Sequence, residues 1–469
     1  MRRLGIAAAV AAGLLAGCAS QSRDAANERA ERVDEQVRGK WGKPIANLPV
    51  RKLVLISPHN QNIREEYTEA FVAHYALEFG RRAELEWRDV GGGGTTIIRY
   101  VRNMFENSSR SGIDVLWGGG DDHFAQLAKE GLLKPMTLQP DFLESVPQEL
   151  GGVPMYDPQR RWCGAALSGF GIIYNARLLE WCDLPAPRQW DDLAQPRLFD
   201  LLALADPTES SSAATCYEMV VQSAPDWPSG WAKLLGVLSN AKRFTDSAGK
   251  TANAPALGEA LVATCIDFYG FTRVAEAPDD LFYISPPGQT AFTPDPIAIL
   301  KNPPDPQLSQ QFVDFVLSRR GQAIWALPPG DPDGPARNSL GRLPMRKDVY
   351  EFYAGRLSPW IRSPYQAGEA AQIDLEMRKV RFNVLQQLVR AAAIDNLDAL
   401  KAAKRTLIRT GFPRELVEEF QRLPANVCTA EQIRLVARKL KDPTEAERIV
   451  TDWTTFFRDK YRRIAKGDT

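Results

Sequence analysis

The spacing of apolar and polar positions predicts an alternating order of strands and helices in the first third of the chain. Residues 53–56 form a continuous apolar run, which is typical of a strand buried on both faces. Alternation over 83–88 and a mostly apolar segment over 113–117, interrupted only by Asp114, predict two more strands. Apolar residues at helical spacing follow each strand, from residues 63, 97 and 124. This order predicts a parallel sheet with right-handed crossovers.

Each of these predicted strands ends in a polar or glycine-rich turn. Ligands collect at the carboxyl ends of parallel strands, so the three turns are candidate binding segments. The run of four glycines at 91–94 precedes a helix start, where backbone N–H groups and the helix dipole favour an anion. The alternative is that the glycines form a flexible turn and that Thr95 or Thr96 is the N-cap of the following helix. The candidates in these turns are His59, Asn60, Gly94, Thr95, Thr96 and Asp121.

The amino terminus has the form of a signal peptide. Arg2 and Arg3 precede an apolar run over residues 4–15, which is too short to span a bilayer. The run ends in Leu-Ala-Gly-Cys, which resembles the bacterial lipobox, and this resemblance implies that Cys18 carries lipid. A polar segment from Ser20 to about Gly39 follows and is interpreted as a linker, with a short exposed helix as the alternative. We therefore expect a protein anchored on the periplasmic side, with the choice between inner and outer membrane left open.

Composition excludes several classes of protein. The chain has 469 residues, 44% of them apolar, with 58 basic and 58 acidic side chains, so neither general disorder nor a nucleic-acid partner is expected. Five cysteines remain after Cys18, an odd number, and at least one should be free. No Cys/His cluster suggests zinc. Because GxSxG, a Ser/His/Asp set and a spaced carboxylate pair are all missing from the sequence, we expect no enzyme.

The middle of the chain repeats the combination of apolar run and polar turn. Residues 162–175 are interpreted as two extended pieces that meet at Ser168, and Ser/Thr-rich or aromatic turns follow near residues 206, 245 and 266. Helix capping and ordinary aromatic packing are the alternatives to ligand contact. The candidates in this region are Ser168, Thr208, Ser210, Ser247, Asp267 and Tyr269.

An ordered set of weak motifs between residues 53 and 350 carries a family resemblance. The motifs are SGFGIIYNARLLE, PRQWDDLAQPRL followed by LALADPTESSSA, AKRFTDSAGKTANAPALGEA, and TPDPIAILKNPPDPQLSQQFVDFVLSRRGQAIWA. In this order they resemble the bacterial extracellular solute-binding proteins of ABC importers, in the ferric-iron-type branch. The resemblance implies an α/β, two-lobed periplasmic-binding-protein fold of class II topology, extended here by C-terminal helices.

The resemblance also implies a division of the chain. We expect a lipoprotein signal peptide at 1–17, an anchor and linker at 18–50, lobe 1 at 51–140 and 290–350, lobe 2 at 141–289, and a helical extension at 351–469. Helical spacing of apolar residues after 373, 397 and 449 supports the extension. The extension is expected to pack on the lobes or to form a docking surface for a partner.

Iron-binding members of this family hold ferric iron with two adjacent tyrosines, a histidine and a carboxylate. This chain has Phe268 and Tyr269 where the tyrosine pair would fall, so His59 and Tyr269 are the only metal ligands that the resemblance offers. The expected function is capture of ferric iron or a small anionic solute between the lobes, without a resident cofactor, by a monomer that serves an ABC permease. A sensing or structural lipoprotein without transport is the alternative, and an enzyme with a similar cleft is a further one.

Overall fold

The computed structural model describes residues 26–91 and 94–467, so the predicted lipidation site Cys18 and the two central residues of the glycine run lie outside the described residues. The chain forms two compact units. Unit 1 contains the described parts of Met1–Glu149, Pro154–Ser168 and Thr293–Ser363. Unit 2 contains Leu150–Val153, Gly169–Phe292 and the described part of Pro364–Thr469.

Strands and helices alternate through most of the described chain. The strands are β1 (Val50–Ile56), β2 (Arg82–Arg88), β3 (Val115–Trp117), β4 (Leu133–Lys134), β5 (Glu149–Leu150), β6 (Val153–Pro154), β7 (Cys163–Asn175), β8 (Leu202–Ala205), β9 (Ala241–Thr245), β10 (Val262–Ile266), β11 (Leu281–Ile284) and β12 (Phe292–Leu300). The helices up to residue 276 are α1 (26–41), α2 (Gln61–Phe79), α3 (Gly94–Asn107), α4 (Asp121–Lys129), α5 (Pro140–Ser145), α6 (Ala176–Trp181), α7 (Ser211–Gln222), α8 (Trp227–Leu238), α9 (Ala248–Ala256) and α10 (Asp267–Glu276).

The later part of the chain is mainly helical. Its helices are α11 (Pro306–Leu317), α12 (Arg319–Ala326), α13 (Lys347–Phe352), α14 (Leu375–Val389), α15 (Leu397–Thr410), α16 (Arg414–Gln421), α17 (Ala430–Lys439) and α18 (Pro443–Lys466). Short 3-10 turns occur at Ile45–Asn47, Trp190–Ala194 and Pro196–Leu198, and a π-helix at Arg390–Ile394.

The sheet of unit 1 has the parallel order predicted from the sequence. Strand β1 pairs in parallel with both β2 and β3, and β12 returns antiparallel to β3. The apolar run of β1 is buried at all four positions from Leu53 to Ile56. Helix α2 ends at Gly80, whose φ of 60° is the left-handed conformation that a C-cap glycine adopts readily.

The polar segment interpreted as a linker is helical over residues 26–41. In this helix, α1, the side chain of Val37 is fully buried and clusters with Leu48 and Ala76. Asp34 accepts a hydrogen bond from the backbone N–H of Ile45, 2.8 Å away. The described part of this segment is therefore packed within unit 1, against α2 and the residues that precede β1.

Strand β7 differs from the prediction of two extended pieces, because residues 163–175 form one continuous strand. Its glycines serve close packing. A Cβ on Gly171 would lie 2.2 Å from the carbonyl oxygen of Ile284 on the neighbouring strand β11, and a Cβ on Gly169 would lie 2.8 Å from the ring of Phe292. Glycine is required where another strand or ring comes this near.

The C-terminal helices are present and belong to unit 2. Arg381 of α14 forms a buried ion pair with Glu218 of α7, and its guanidinium carbon lies 5.1 Å from the ring of Trp227. The indole N–H of Trp227 donates to the carbonyl of Val427, 2.6 Å away. These buried contacts join the extension to helices α7 and α8 of unit 2.

Candidate functional site

A buried charge network lies at the carboxyl ends of the strands in unit 1. Asp295 of β12 accepts a hydrogen bond from Nη1 of Arg342 at 2.5 Å, and one of its oxygens lies 2.7 Å from Nε2 of His59. The side chains of His59, Asp295 and Arg342 are 3, 12 and 9% exposed. His59 also meets the edge of the Trp117 ring, with centroids 5.0 Å apart. The network is therefore enclosed by apolar rings as well as by charge.

Burial and charge set the protonation of this network. Burial lowers the pKa of His59 below its ordinary value, and Asp295 only partly opposes that effect. Burial alone would raise the pKa of Asp295, but Arg342 and His59 outweigh it and hold this pKa well below its usual range. Asp295 is thus an ionised partner of Arg342, and His59 is neutral at neutral pH.

The Asp295 carboxylate also contacts the glycine turn that follows β3. Gly118, Gly119 and Gly120 have φ values of 86°, 113° and 93°, a conformation that favours glycine. The backbone N–H of Gly119 donates to the Asp295 carboxylate. A Cβ on Gly94 would lie 2.7 Å from the carbonyl oxygen of Gly119, so the two glycine turns touch backbone to backbone. The anionic group at this glycine turn of unit 1 is therefore a side chain of the protein itself, the carboxylate of Asp295.

The other predicted residues of unit 1 lie at helix starts or in β7. Asn60 caps α2, accepting from the N–H of Ile63 at 3.1 Å. Gly94, Thr95 and Thr96 lie in the first turn of α3, and Asp121 lies in the first turn of α4. Ser168 is buried in β7, at the end of the part that belongs to unit 1. The structure thus brings His59 and the two glycine turns together.

The predicted residues of unit 2 share one edge of its sheet. Strand β8 pairs in parallel with β9 and with β10, so their carboxyl ends lie side by side. Helices α7, α9 and α10 begin just beyond these strand ends. We call this set the unit 2 edge; its members are Asp206, Pro207, Thr208, Ser210, Ser247, Asp267 and Tyr269.

Most side chains of the unit 2 edge have a structural partner. Ser210 and Ser247 are the N-caps of α7 and α9, each accepting a backbone N–H at 3.4 Å. The Thr208 hydroxyl donates to Asp206 at 2.6 Å. Asp267 is fully buried and accepts from the N–H of Gly169 at 2.6 Å. Tyr269 differs from the others, since it is 40% exposed and packs against Phe268, with ring centroids 4.3 Å apart and ring planes tilted by 44°.

Sequence reasoning missed Asp295, Arg342 and Arg390. The sequence does mark Asp295, because it is a charged residue between two prolines in an otherwise mostly apolar strand. Arg342 lies in an irregular segment, and Arg390 contacts the unit 2 edge from a helix far along the chain, so local pattern could reveal neither.

A ferric site assembled within one unit is not evident in the described chain. Residues 26–91 and 94–467 contain no group of three or more His, Cys, Asp or Glu side chains placed to hold a metal. The Nε2 atom of His59 is engaged by Asp295, and its Nδ1 is buried without a hydrogen-bond partner among these residues. Binding iron through Nε2 would require that the contact with Asp295 be given up.

Comparison with known sequences supports the family resemblance. Residues 112–331 match the family described as bacterial extracellular solute-binding protein. This match confirms the resemblance seen in the motifs. The phosphoglycerate transport regulatory proteins PgtC of Salmonella typhimurium and Salmonella typhi are each 29% identical over 304 residues, covering 63% of this chain and 71% of theirs.

Solved structures show the same fold. The periplasmic binding protein AfuA of Actinobacillus pleuropneumoniae, with fructose-6-phosphate bound, is 18% identical, with a TM-score of 0.53 over 71% of this chain and 97% of its own. Iron-bound HitA of Pseudomonas aeruginosa is 20% identical, with a TM-score of 0.53 over 73% and 99%. The architecture is that of the two-lobed periplasmic binding proteins with added C-terminal helices.

These comparisons support a solute-binding protein of the bacterial ABC-importer type. Such proteins bind small ligands and deliver them to ABC permeases, and the family implies a periplasmic location. Family and fold are those of binding proteins rather than enzymes. Among the described residues, no helix combines the length and hydrophobicity needed to cross a membrane.

Proposed function

We propose that this chain is the lipid-anchored solute-binding component of an ABC importer and that it captures a small organic anion. The unit 2 edge is the observation that carries the choice of ligand. Three helices, α7, α9 and α10, start at neighbouring parallel strand ends, and hydroxyl side chains stand at two of these starts. Helix N-termini concentrate backbone N–H donors and partial positive charge, which favours phosphate or carboxylate.

The names of two relatives support the same class of ligand. One is named for phosphoglycerate transport and the other was solved with fructose-6-phosphate. Both ligands combine an anionic phosphate with hydroxyl groups. The hydroxyls of Thr208, Ser210 and Ser247 and the phenol of Tyr269 are suited to such a solute.

Ferric iron is the second candidate cargo. The fold match to iron-bound HitA and the exposed phenol of Tyr269 favour it, because phenolate is a hard oxygen donor suited to ferric iron. The phenylalanine at position 268 opposes it by removing the second phenolate of the expected pair. We therefore place the organic anion first.

Titration calorimetry of the full chain tests the choice of ligand. We expect heat of binding with 3-phosphoglycerate or fructose 6-phosphate and none with fructose, since the anionic group is the recognised feature. Ferric citrate is compared with citrate alone. Binding of ferric citrate with no response to citrate or to either phosphate ester would replace the organic anion with iron. If no probe binds, the sensing or structural alternative is favoured.

The anchor is tested independently of the ligand. Replacing Cys18 with Ser removes the predicted lipid attachment, and because each buried CH₂ contributes about 0.8 kcal/mol to membrane binding, the variant should move to the soluble fraction. Cys428→Ser is the matched control, since Cys428 is an exposed free thiol. Membrane association that survives Cys18→Ser would contradict the lipoprotein proposal. Sedimentation of the released variant tests the further proposal that the protein is a monomer.

A further inference from the structure

The C-terminal extension contacts the turn that follows β8. The side-chain amide of Gln386 donates to the carbonyl of Pro207 at 2.6 Å, and Nη1 of Arg390 donates to the hydroxyl of Thr208 at 3.2 Å. The motifs that resemble the solute-binding family end near residue 350. These two contacts therefore bring residues from outside the resemblance to a turn that we place in the ligand site.

Arg390 stands at an unusual point of the backbone. It is the first residue of the π-helix Arg390–Ile394, which continues α14. Single π-turns inside helices are rare and occur often at functional sites. A buried side chain stabilises this π-helix. The side-chain amide of Asn396 donates to the carbonyls of Ala391 and Thr454 at 2.8 and 2.9 Å. The position from which Arg390 projects is therefore fixed by buried contacts.

The guanidinium of Arg390 retains capacity for a ligand. Its side chain is 43% exposed, and the carboxylate of Asp395 lies 3.7 Å from Nε, which is beyond ordinary hydrogen-bond length. The contacts with Thr208 and Asp395 are made by Nη1 and Nε. The other nearby acid, Asp206, accepts both the N–H and the hydroxyl of Thr208. The planar guanidinium offers paired donors that match phosphate or carboxylate oxygens.

We propose that Arg390 binds the anionic group of the transported solute beside Thr208, so that the C-terminal extension completes the ligand site and selects charged over uncharged solutes. This inference rests on the proposed capture of an organic anion. It names the residue that would recognise the phosphate or carboxylate, and it gives the extension a part in binding.

Calorimetric titration of Arg390 variants tests this inference. Hydrogen bonds to charged groups contribute about 1.5–3 kcal/mol, so Arg390→Ala should weaken binding of 3-phosphoglycerate or fructose 6-phosphate roughly 10- to 100-fold. Arg390→Lys keeps the charge without the paired donors and should lose less. Arg378→Ala, which removes an arginine earlier on α14, is the control and should bind as wild type does. Unfolding midpoints of all variants show whether the fold is kept.

Chemical protection separates ligand contact from a structural role. Phenylglyoxal modifies arginine side chains. Bound 3-phosphoglycerate should slow the modification of Arg390 but not the modification of Arg378, as measured by mass spectrometry. If wild type binds the phosphate ester but Arg390→Ala binds it within twofold, or Arg390 is unprotected, the inference fails and the proposed function stands. If wild type binds no phosphate ester or carboxylate, both fail together.

Discussion

The carboxyl ends of parallel strands carry polar residues in both units, but the two edges use them differently. In unit 1, Asp295 fills the glycine turn after β3 and is itself paired with Arg342 and His59. In unit 2, the side chains cap helices or stay partly open, as Tyr269 and Arg390 do. One edge is neutralised by the protein's own charges, whereas the other retains donors.

This difference shows that a polar residue at a strand end is not always available to bind a ligand. A carboxylate that already takes donors from an arginine and a backbone N–H has little capacity for a ligand, and breaking such a pair leaves a buried charge. A serine that caps a helix keeps hydroxyl lone pairs and costs little to adjust. We therefore expect mutations at the unit 1 edge to affect mainly stability, and mutations at the unit 2 edge to affect mainly binding.

The largest expected effect comes from removing the centre of the unit 1 network. Asp295→Ala leaves Arg342 buried without its carboxylate and should lower the free energy of unfolding by about 3–5 kcal/mol. Urea denaturation measures this change. Glu86→Gln, which alters an ion pair on the surface of the same sheet, is the control and should unfold as wild type does. An Asp295→Ala variant of normal stability and lost binding would show that the unit 1 edge is a ligand site.

The pH dependence of stability gives the next effect. Because the pKa of His59 is lower in the folded chain than in the unfolded chain, the folded state binds fewer protons below the unfolded pKa. Stability from this group is complete above about pH 6.5 and is lost as the pH falls below it, by at most about 1.4 kcal/mol per pH unit. His59→Gln should reduce the slope of unfolding free energy between pH 7 and 5.5.

The pKa values of the other two histidines, His74 and His123, are also lowered by burial, so part of the slope should remain in the His59 variant. The charged groups that face His59 are Asp295, Arg342 and Arg64. A slope unchanged by His59→Gln would mean that His59 is not neutral in the folded chain.

Local pattern predicted the strands and helices better than the chemistry of the edges. The apolar run of β1 and the glycine at the end of α2 are set by neighbours in sequence, so their prediction holds. The sequence predicts a division of β7 at Ser168, which glycines flank, whereas in the structure Gly169 and Gly171 allow Phe292 and β11 to approach one continuous strand. Arg342 and Arg390 act over contacts distant in sequence, which neither periodicity nor spacing encodes.

The third prediction separates capping from ligand contact at the unit 2 edge. Ser247→Ala removes the N-cap of α9 and should cost about 1 kcal/mol of stability, while Ser247→Asp keeps a cap and should cost less. If an anion lies near this helix start, the added carboxylate should weaken its binding more than alanine does, because like charges repel. Calorimetry with 3-phosphoglycerate and thermal unfolding measure the two effects. Equal affinity in both variants would place the ligand away from Ser247.

The smallest effect on stability is expected at Tyr269, and there binding is the informative measurement. Tyr269→Phe removes only a hydroxyl from a 40% exposed ring, so the free energy of unfolding should change by less than about 0.5 kcal/mol. If ferric iron is the cargo, its bond to phenolate gives visible absorption in the wild type that this variant loses. If the cargo is an organic anion, the protein stays colourless and the variant loses at most one hydrogen bond to the ligand, a severalfold weakening. Colour that survives the substitution would assign iron to a phenolate other than Tyr269, and the comparison of the two edges would then have to include a second tyrosine.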